Sequence, residues 1–131
     1  MSRFAYRMTN ANMTRIAAAS GALAVALGAF GAHGLHQVLT QNGMVEVWQK
    51  AVFYHFIHTV MLFVLAERKT SASGPWFFFL AGIVLFSGSL YVLALTNIHW
   101  LGAITPLGGV SLIVGWTWLA VCTGNRGLNG V

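Results

Sequence analysis

The sequence predicts an all-α, polytopic integral membrane protein, an antiparallel four-transmembrane-helix bundle, on three observations. Of its 131 residues 57% are hydrophobic and only 7% charged, whereas soluble domains carry about 25% charged residues. Four apolar stretches, about 14–35, 47–66, 75–96 and 100–123, are long enough for a hydrocarbon core of roughly 30 Å, which takes about 20 helical residues. Finally, the basic residues fall on alternate connections, as they do in a multi-pass chain. A bilayer admits only helices or closed barrels. These runs are far longer than the segments of about 10 alternating residues that build a barrel strand. The whole chain, 1–131, reads as one transmembrane domain.

The first span follows Arg3, Arg7 and Arg15. It carries a small residue at every fourth position, Ser20, Ala24, Gly28 and Ala32, a row that lets another helix backbone approach closely. Packing against a neighbouring span is the first expectation for that row, and a subunit contact the second. Residues 1–32 also fit the outline of a signal peptide, but the apolar run is at the upper limit for one. Cleavage would also leave the Arg68-Lys69 connection in a less consistent setting.

The link 36–46 carries Gln41-Asn42-Gly43, a turn signal, with apolar residues on either side that suit the membrane interface. In the second span Trp48, Ala51, His55, His58, Leu62 and Leu65 recur in steps of three and four, which places both histidines on one helical seam. At 1.5 Å per residue His58 lies roughly 15 Å inside the outer end. An imidazole at that depth is expected to face the bundle interior or a cavity. Lys50 is close enough to the start of this span to snorkel to the headgroups.

The third span brings Ser87 and Ser89 to the depth of those histidines and Tyr91 nearer the outer face, where His33 and Thr105 also fall. In the fourth, Gly102, Gly108, Gly109 and Gly115 are expected to pack closely, and Pro106 to bend the helix near its outer third. Arg3, Arg7, Arg15, Arg68, Lys69 and Arg126 share one side and Lys50 the other, so both termini are predicted to be cytoplasmic. Trp48 and Trp100 are expected at the outer boundary, Trp76 and Trp118 at the inner one.

Several function classes are disfavoured at this stage. The net charge of +5 and pI near 10.2 record topology, since no basic patch of the kind that binds nucleic acid is present. One cysteine gives neither a disulfide framework nor a Cys-based zinc site. His55 and His58 have a permissive but unspecific spacing for a metal, with His33, Glu46 or Met61 as a distant third ligand. His33 lies about 10 Å shallower than His58, which mismatches a bis-histidine haem. No intramembrane carboxylate completes a proton relay or a catalytic set, and Ser87 or Ser89 beside a histidine has no orienting acid. No cofactor and no metal is assigned, and the chain is not expected to be an enzyme.

Four motifs in order resemble the small YgdD-like inner-membrane proteins, a domain-of-unknown-function family. They are Gly28-Ala29-Phe30-Gly31-Ala32-His33-Gly34-Leu35, Tyr54-His55-x-x-His58-Thr59, Leu85-Phe86-Ser87-Gly88-Ser89-Leu90-Tyr91, and Thr105-Pro106-Leu107-Gly108-Gly109 with Gly115-Trp116. The resemblance covers about 16–119. It implies a four-span bacterial inner-membrane protein and supplies no activity. At His55 relatives carry Gln or another polar residue, so a mechanism needing two histidines on this span would not be shared by the family.

The expected polar cluster is therefore His33, Tyr54, His55, His58, Ser87, Ser89, Tyr91 and Thr105, in the outer half of the bundle, with an apolar inner half. The first functional expectation is a non-enzymatic, self-associating bundle whose polar half binds or passes a small solute, proton or lipid headgroup. The alternatives are an assembly partner of a larger membrane complex, joined through the small-residue face, and a His-ligated haem or copper redox protein. Beyond the lipid bilayer, the partners expected are further copies of the chain or that larger complex.

Overall fold

Thr9 starts the first helix by accepting the Asn12 N–H on its hydroxyl, a side-chain cap for one of the four N–H groups that a helix start leaves unpaired. The computed structural model describes residues 9–68 and 73–128; Arg3, Arg7 and Lys69, three of the basic residues behind the predicted orientation, lie outside them. Helix α1 (Asn10–Ala32) leads through the short α2 (His36–Gln41) to α3 (Val45–Ala66). The third rod is α4 (Ser73–Gly82), a π-helical turn (Ile83–Ser87) and α5 (Gly88–Thr96), and a 3-10 turn (His99–Ala103) then precedes α6 (Thr105–Leu128). Among the described residues there is no strand, and four helical rods are long and apolar enough to cross a membrane.

The connections alternate between two ends. One holds α2 and the turn between α5 and α6, and is called the α2 end below; the other holds the Glu67 connection and the chain termini, and is called the terminal end. Asn97 closes α5 in the left-handed conformation, φ 57° and ψ 25°, its N–H bonded to the Leu93 carbonyl at 2.8 Å. Asparagine tolerates that conformation better than most residues. At the predicted turn, Gly43 has φ +66°, and Asn42 Nδ2 donates to the Ala94 carbonyl at 2.9 Å. The α2 link is thus tied to α5, and Leu39 is buried with Trp48 and Ala94.

Helices α3 and α4–α5 form the middle of the assembly. Helix α1 packs chiefly on α3, and α6 on α4 and the π turn. All six residues of the predicted α3 seam are buried. The terminal half is apolar inside, with Met13, Ala17, Leu65, Trp76, Phe79 and Leu119 in one cluster.

Two expectations about packing change. The fourth-position row on α1 holds for Ala24 and Gly28 but drifts away by Ala32, which is exposed, while Gly31 is buried. A step of four residues overshoots a 3.6-residue turn, so a long row must take an occasional step of three to stay on one face. A Cβ on Gly31 would collide with the Trp48 indole. Of the four glycines expected to pack closely in the fourth span, Gly108 and Gly115 do so: a Cβ at Gly109 meets Phe86 at an ordinary 3.8 Å, and one at Gly102, in the 3-10 turn, meets nothing within 4 Å.

Pro106 does not bend the last span. It is the second residue of α6, where the first-turn N–H has no helical partner and proline fits without loss. Trp48 and Trp76, each near the end of a span, are buried against neighbouring helices at 2% and 0% exposure. Each indole N–H is donated across helices, Trp48 to the Leu27 carbonyl at 2.9 Å and Trp76 to the Leu62 carbonyl at 3.1 Å. A satisfied N–H removes the main penalty for burying these rings. Trp100 and Trp118 are exposed.

Candidate functional site

The two histidines of the α3 seam reach different partners. His55 sits between α1 and α5: its Nε2 is 3.0 Å from Ser20 Oγ, and its Nδ1 is 2.9 Å from the Tyr91 hydroxyl. Ser20 Oγ in turn lies 2.7 Å from Thr59 Oγ1. Tyr91, His55, Ser20 and Thr59 therefore make one continuous hydrogen-bonded chain through three spans. The Tyr91 ring packs on Trp48, with centroids 4.8 Å apart.

His58, one turn further along, points towards α6. Its Nδ1 is 2.7 Å from the Tyr54 carbonyl, and the Trp116 indole N–H donates to its Nε2 at 3.1 Å. A carbonyl only accepts and an indole N–H only donates, so this ring is neutral and carries its hydrogen on Nδ1. Phe79 and Trp116 pack around it.

The serines expected beside these histidines go elsewhere. Ser87 Oγ donates to the Ala51 carbonyl at 2.8 Å and ties the π turn to α3. Ser89 donates to the Phe86 carbonyl, in the π turn of the same span, at 3.0 Å and lies 2.7 Å from Thr105 Oγ1, joining α5 to the start of α6. Tyr54 is exposed, its ring stacked on His58 and tilted against Phe86. His33 is exposed at the end of α1, where its backbone N–H bonds to the Ala29 and Phe30 carbonyls. Of the eight expected polar residues, His55 meets Tyr91, Ser89 meets Thr105 and His58 meets Tyr54, while Ser87 bonds to Ala51 and His33 stands apart at the end of α1. Three participants lay outside that set: Ser20, read as a packing residue, Thr59 and Trp116. The last two stood within the quoted motifs, next to His58 and Gly115.

This polar interior is fully hydrogen-bonded. Among the described residues no buried side-chain nitrogen or oxygen lacks a hydrogen-bond partner. Such completeness is what a low-dielectric setting demands, and it gives the network an evident packing role. Open space lies on the other face of α3. A groove of about 600 Å³ runs between α1, α2 and α3, floored by Gly28, Gly31 and Trp48 and walled by Val52, Phe53 and Phe56. Ala32 also lines it, and His36 and Gln49 supply polar groups towards the α2 end. Its volume is within the roughly 300–1,000 Å³ of small-molecule sites.

Four apolar antiparallel helical rods around a satisfied polar interior define a small polytopic membrane protein. A family model described as "Protein of unknown function (DUF423)" matches residues 27–109. The UPF0382 membrane protein YwdK of Bacillus subtilis is 48% identical over 113 residues, which cover 81% of this chain and 90% of the relative. A UPF0382 membrane protein of Staphylococcus epidermidis is 46% identical, over 82% and 91%. The UPF0382 inner membrane protein YgdD of Escherichia coli is 44% identical over 121 residues, 87% of this chain and 90% of its own. The chain belongs to this family of membrane proteins of unassigned activity. No solved structure matches it.

Proposed function

We propose that this protein is a non-enzymatic bundle of the bacterial inner membrane, with cytoplasmic termini, that holds one acyl chain of a membrane lipid in the groove between α1, α2 and α3. The observation that carries the reading is the contrast between polar side chains that already satisfy one another and an open, mostly apolar groove. The groove is at the depth of two spans, where the surrounding solvent is hydrocarbon. Its polar residues, His36 and Gln49, sit towards the α2 end, where a headgroup belongs. Both nitrogens of His55 and of His58 are engaged by protein atoms, which speaks against a His-ligated haem or copper centre.

Photolabelling in proteoliposomes with a phospholipid bearing a diazirine on its acyl chain tests the proposal. Labels are expected to concentrate on Phe53 and Phe56 over exposed α6 residues such as Ile113. Ala32→Phe, which adds bulk to the groove at an exposed position, should cut the α3 labelling several-fold and leave α6 unchanged. Equal labelling around α1, α3 and α6 in the wild type would rule the site out.

A second reading, self-association or docking in a larger complex, is favoured by the low burial of the flanking spans: 17% of the apolar window is buried in each of Asn10–Ala32 and His99–Cys122, against 39% in Val45–Ala66. Sedimentation in detergent at several protein-to-detergent ratios separates the two, since a monomer throughout removes self-association.

A further inference from the structure

The two buried histidines differ in how much freedom their partners leave them. His58 is held in one tautomer by a donor-only indole and an acceptor-only carbonyl. His55 has a hydroxyl at each nitrogen, Tyr91 at 2.9 Å and Ser20 at 3.0 Å, and Ser20 continues to Thr59 at 2.7 Å. Each hydroxyl both donates and accepts. In one sense of the chain Tyr91 donates to Nδ1, Nε2–H donates to Ser20, and Ser20 donates to Thr59. In the other, Thr59 donates to Ser20, Ser20 donates to Nε2, and Nδ1–H donates to Tyr91. Both senses contain the same three hydrogen bonds.

We infer that His55 is a two-state tautomeric switch whose sense is set from the groove through Trp48 and Tyr91. Trp48 forms part of the groove floor, and the Tyr91 ring packs on it at 4.8 Å. Matter in the groove presses on Trp48, and a small displacement of Tyr91 favours one sense of its hydroxyl over the other. Interconversion requires the Tyr91 and Ser20 hydrogen bonds to open transiently, so that water can add a proton to one ring nitrogen and take one from the other. The hydroxyl hydrogens stay on their own oxygens and rotate, so the chain gains no charge. The input side of this switch rests on the reading of the groove as an occupied site.

Nitrogen-15 NMR of histidine-labelled protein in lipid bilayers reads both rings, with assignment by His55→Gln and His58→Gln. His58 is expected to show the Nδ1–H tautomer alone, and His55 both tautomers or their exchange average. In Ala32→Phe, where the protein's own phenyl group enters the groove whether or not lipid binds, the His55 ratio should move at least twofold and His58 should not move. A single fixed tautomer at His55 overturns the switch, and two tautomers with an unmoved ratio overturn its link to the groove. Neither outcome depends on the photolabelling result, which tests lipid occupancy alone.

Discussion

A buried imidazole is stable when both nitrogens find groups of the right polarity, and at His58 those groups come from its own helix and from α6. The Tyr54 carbonyl is four residues back, whereas Trp116 is 58 positions away in the chain. Replacing His58 with Ala leaves the Trp116 N–H without its acceptor and removes a ring packed against Phe79. Each single variant, His58→Ala and Trp116→Phe, is expected to lower stability, by about 1–3 kcal/mol for the stranded donor and more for the lost packing. Their double-mutant cycle should return a coupling of about 0.5–1.7 kcal/mol, the range for interhelical hydrogen bonds in membranes, measured by thermal unfolding in detergent. A coupling near zero would mean that the His58–Trp116 bond contributes nothing to the fold. The α3 seam that buries this histidine is legible in the sequence, because steps of three and four report one face of one helix. The partners are not, because periodicity says nothing about which faces of different helices meet. Ser20 therefore reads as a small packing residue until α1 and α3 are brought together, and only then as the link between His55 and Thr59.

Between helices, the closest approach is made where α6 lies on the π turn. A Cβ at Gly108 would stand within 2.7 Å of the Phe86 Cα and 2.8 Å of the Leu85 carbonyl carbon, both backbone atoms that no rotamer change can move aside. Gly108→Ala is accordingly expected to destabilise the protein by about 1–3 kcal/mol, as overpacking does. Gly109→Ala, with only a distant Phe86 ring atom to meet, should stay within about 0.5 kcal/mol. Equal effects at the two glycines, by chemical or thermal unfolding in the same detergent, would refute this account of the crossing. Pro106 belongs to the same element. Because it occupies the first turn of α6, Pro106→Ala is expected to cost less than about 1 kcal/mol, whereas a proline holding a mid-span bend would alter helix packing on removal. Glycine and proline were visible as types in the sequence, yet their roles depend on position within an element whose true start, Thr105, follows a separate 3-10 turn. The π turn itself has no counterpart in hydrophobic periodicity, since every residue in and around it is compatible with an apolar span.

At the scale of the whole molecule, the number of spans and their antiparallel order follow from run lengths and short connections, which is why both are readable in the sequence. That the spans carry polar side chains for the interior was also readable, from where His, Ser, Thr and Tyr fall along them, but the hydrogen-bonded chain runs on past the middle of α1 and α3 to Ser20 and Thr59. The groove was not, because it is made by small residues on α1 and aromatic ones on α3 that lie apart in sequence and share no motif. Orientation is a separate physical question: the helices pack identically whichever end faces the cytoplasm, and the bias comes from the basic residues flanking the spans. Arg15 and Arg68 lie towards the terminal end and Lys50 towards the α2 end, so the charge asymmetry favours a cytoplasmic terminal end. In a Cys122→Ala background, a membrane-impermeant maleimide is expected to label His99→Cys on intact spheroplasts, and to label Ala11→Cys only after permeabilisation. Both positions are exposed, so access depends on side and not on burial. The reverse pattern would invert the orientation and place the polar lip of the groove, His36 and Gln49, at the cytoplasmic leaflet. Under the proposed lipid-binding role the acyl chain would then come from the inner leaflet, so this labelling decides which leaflet the groove can face.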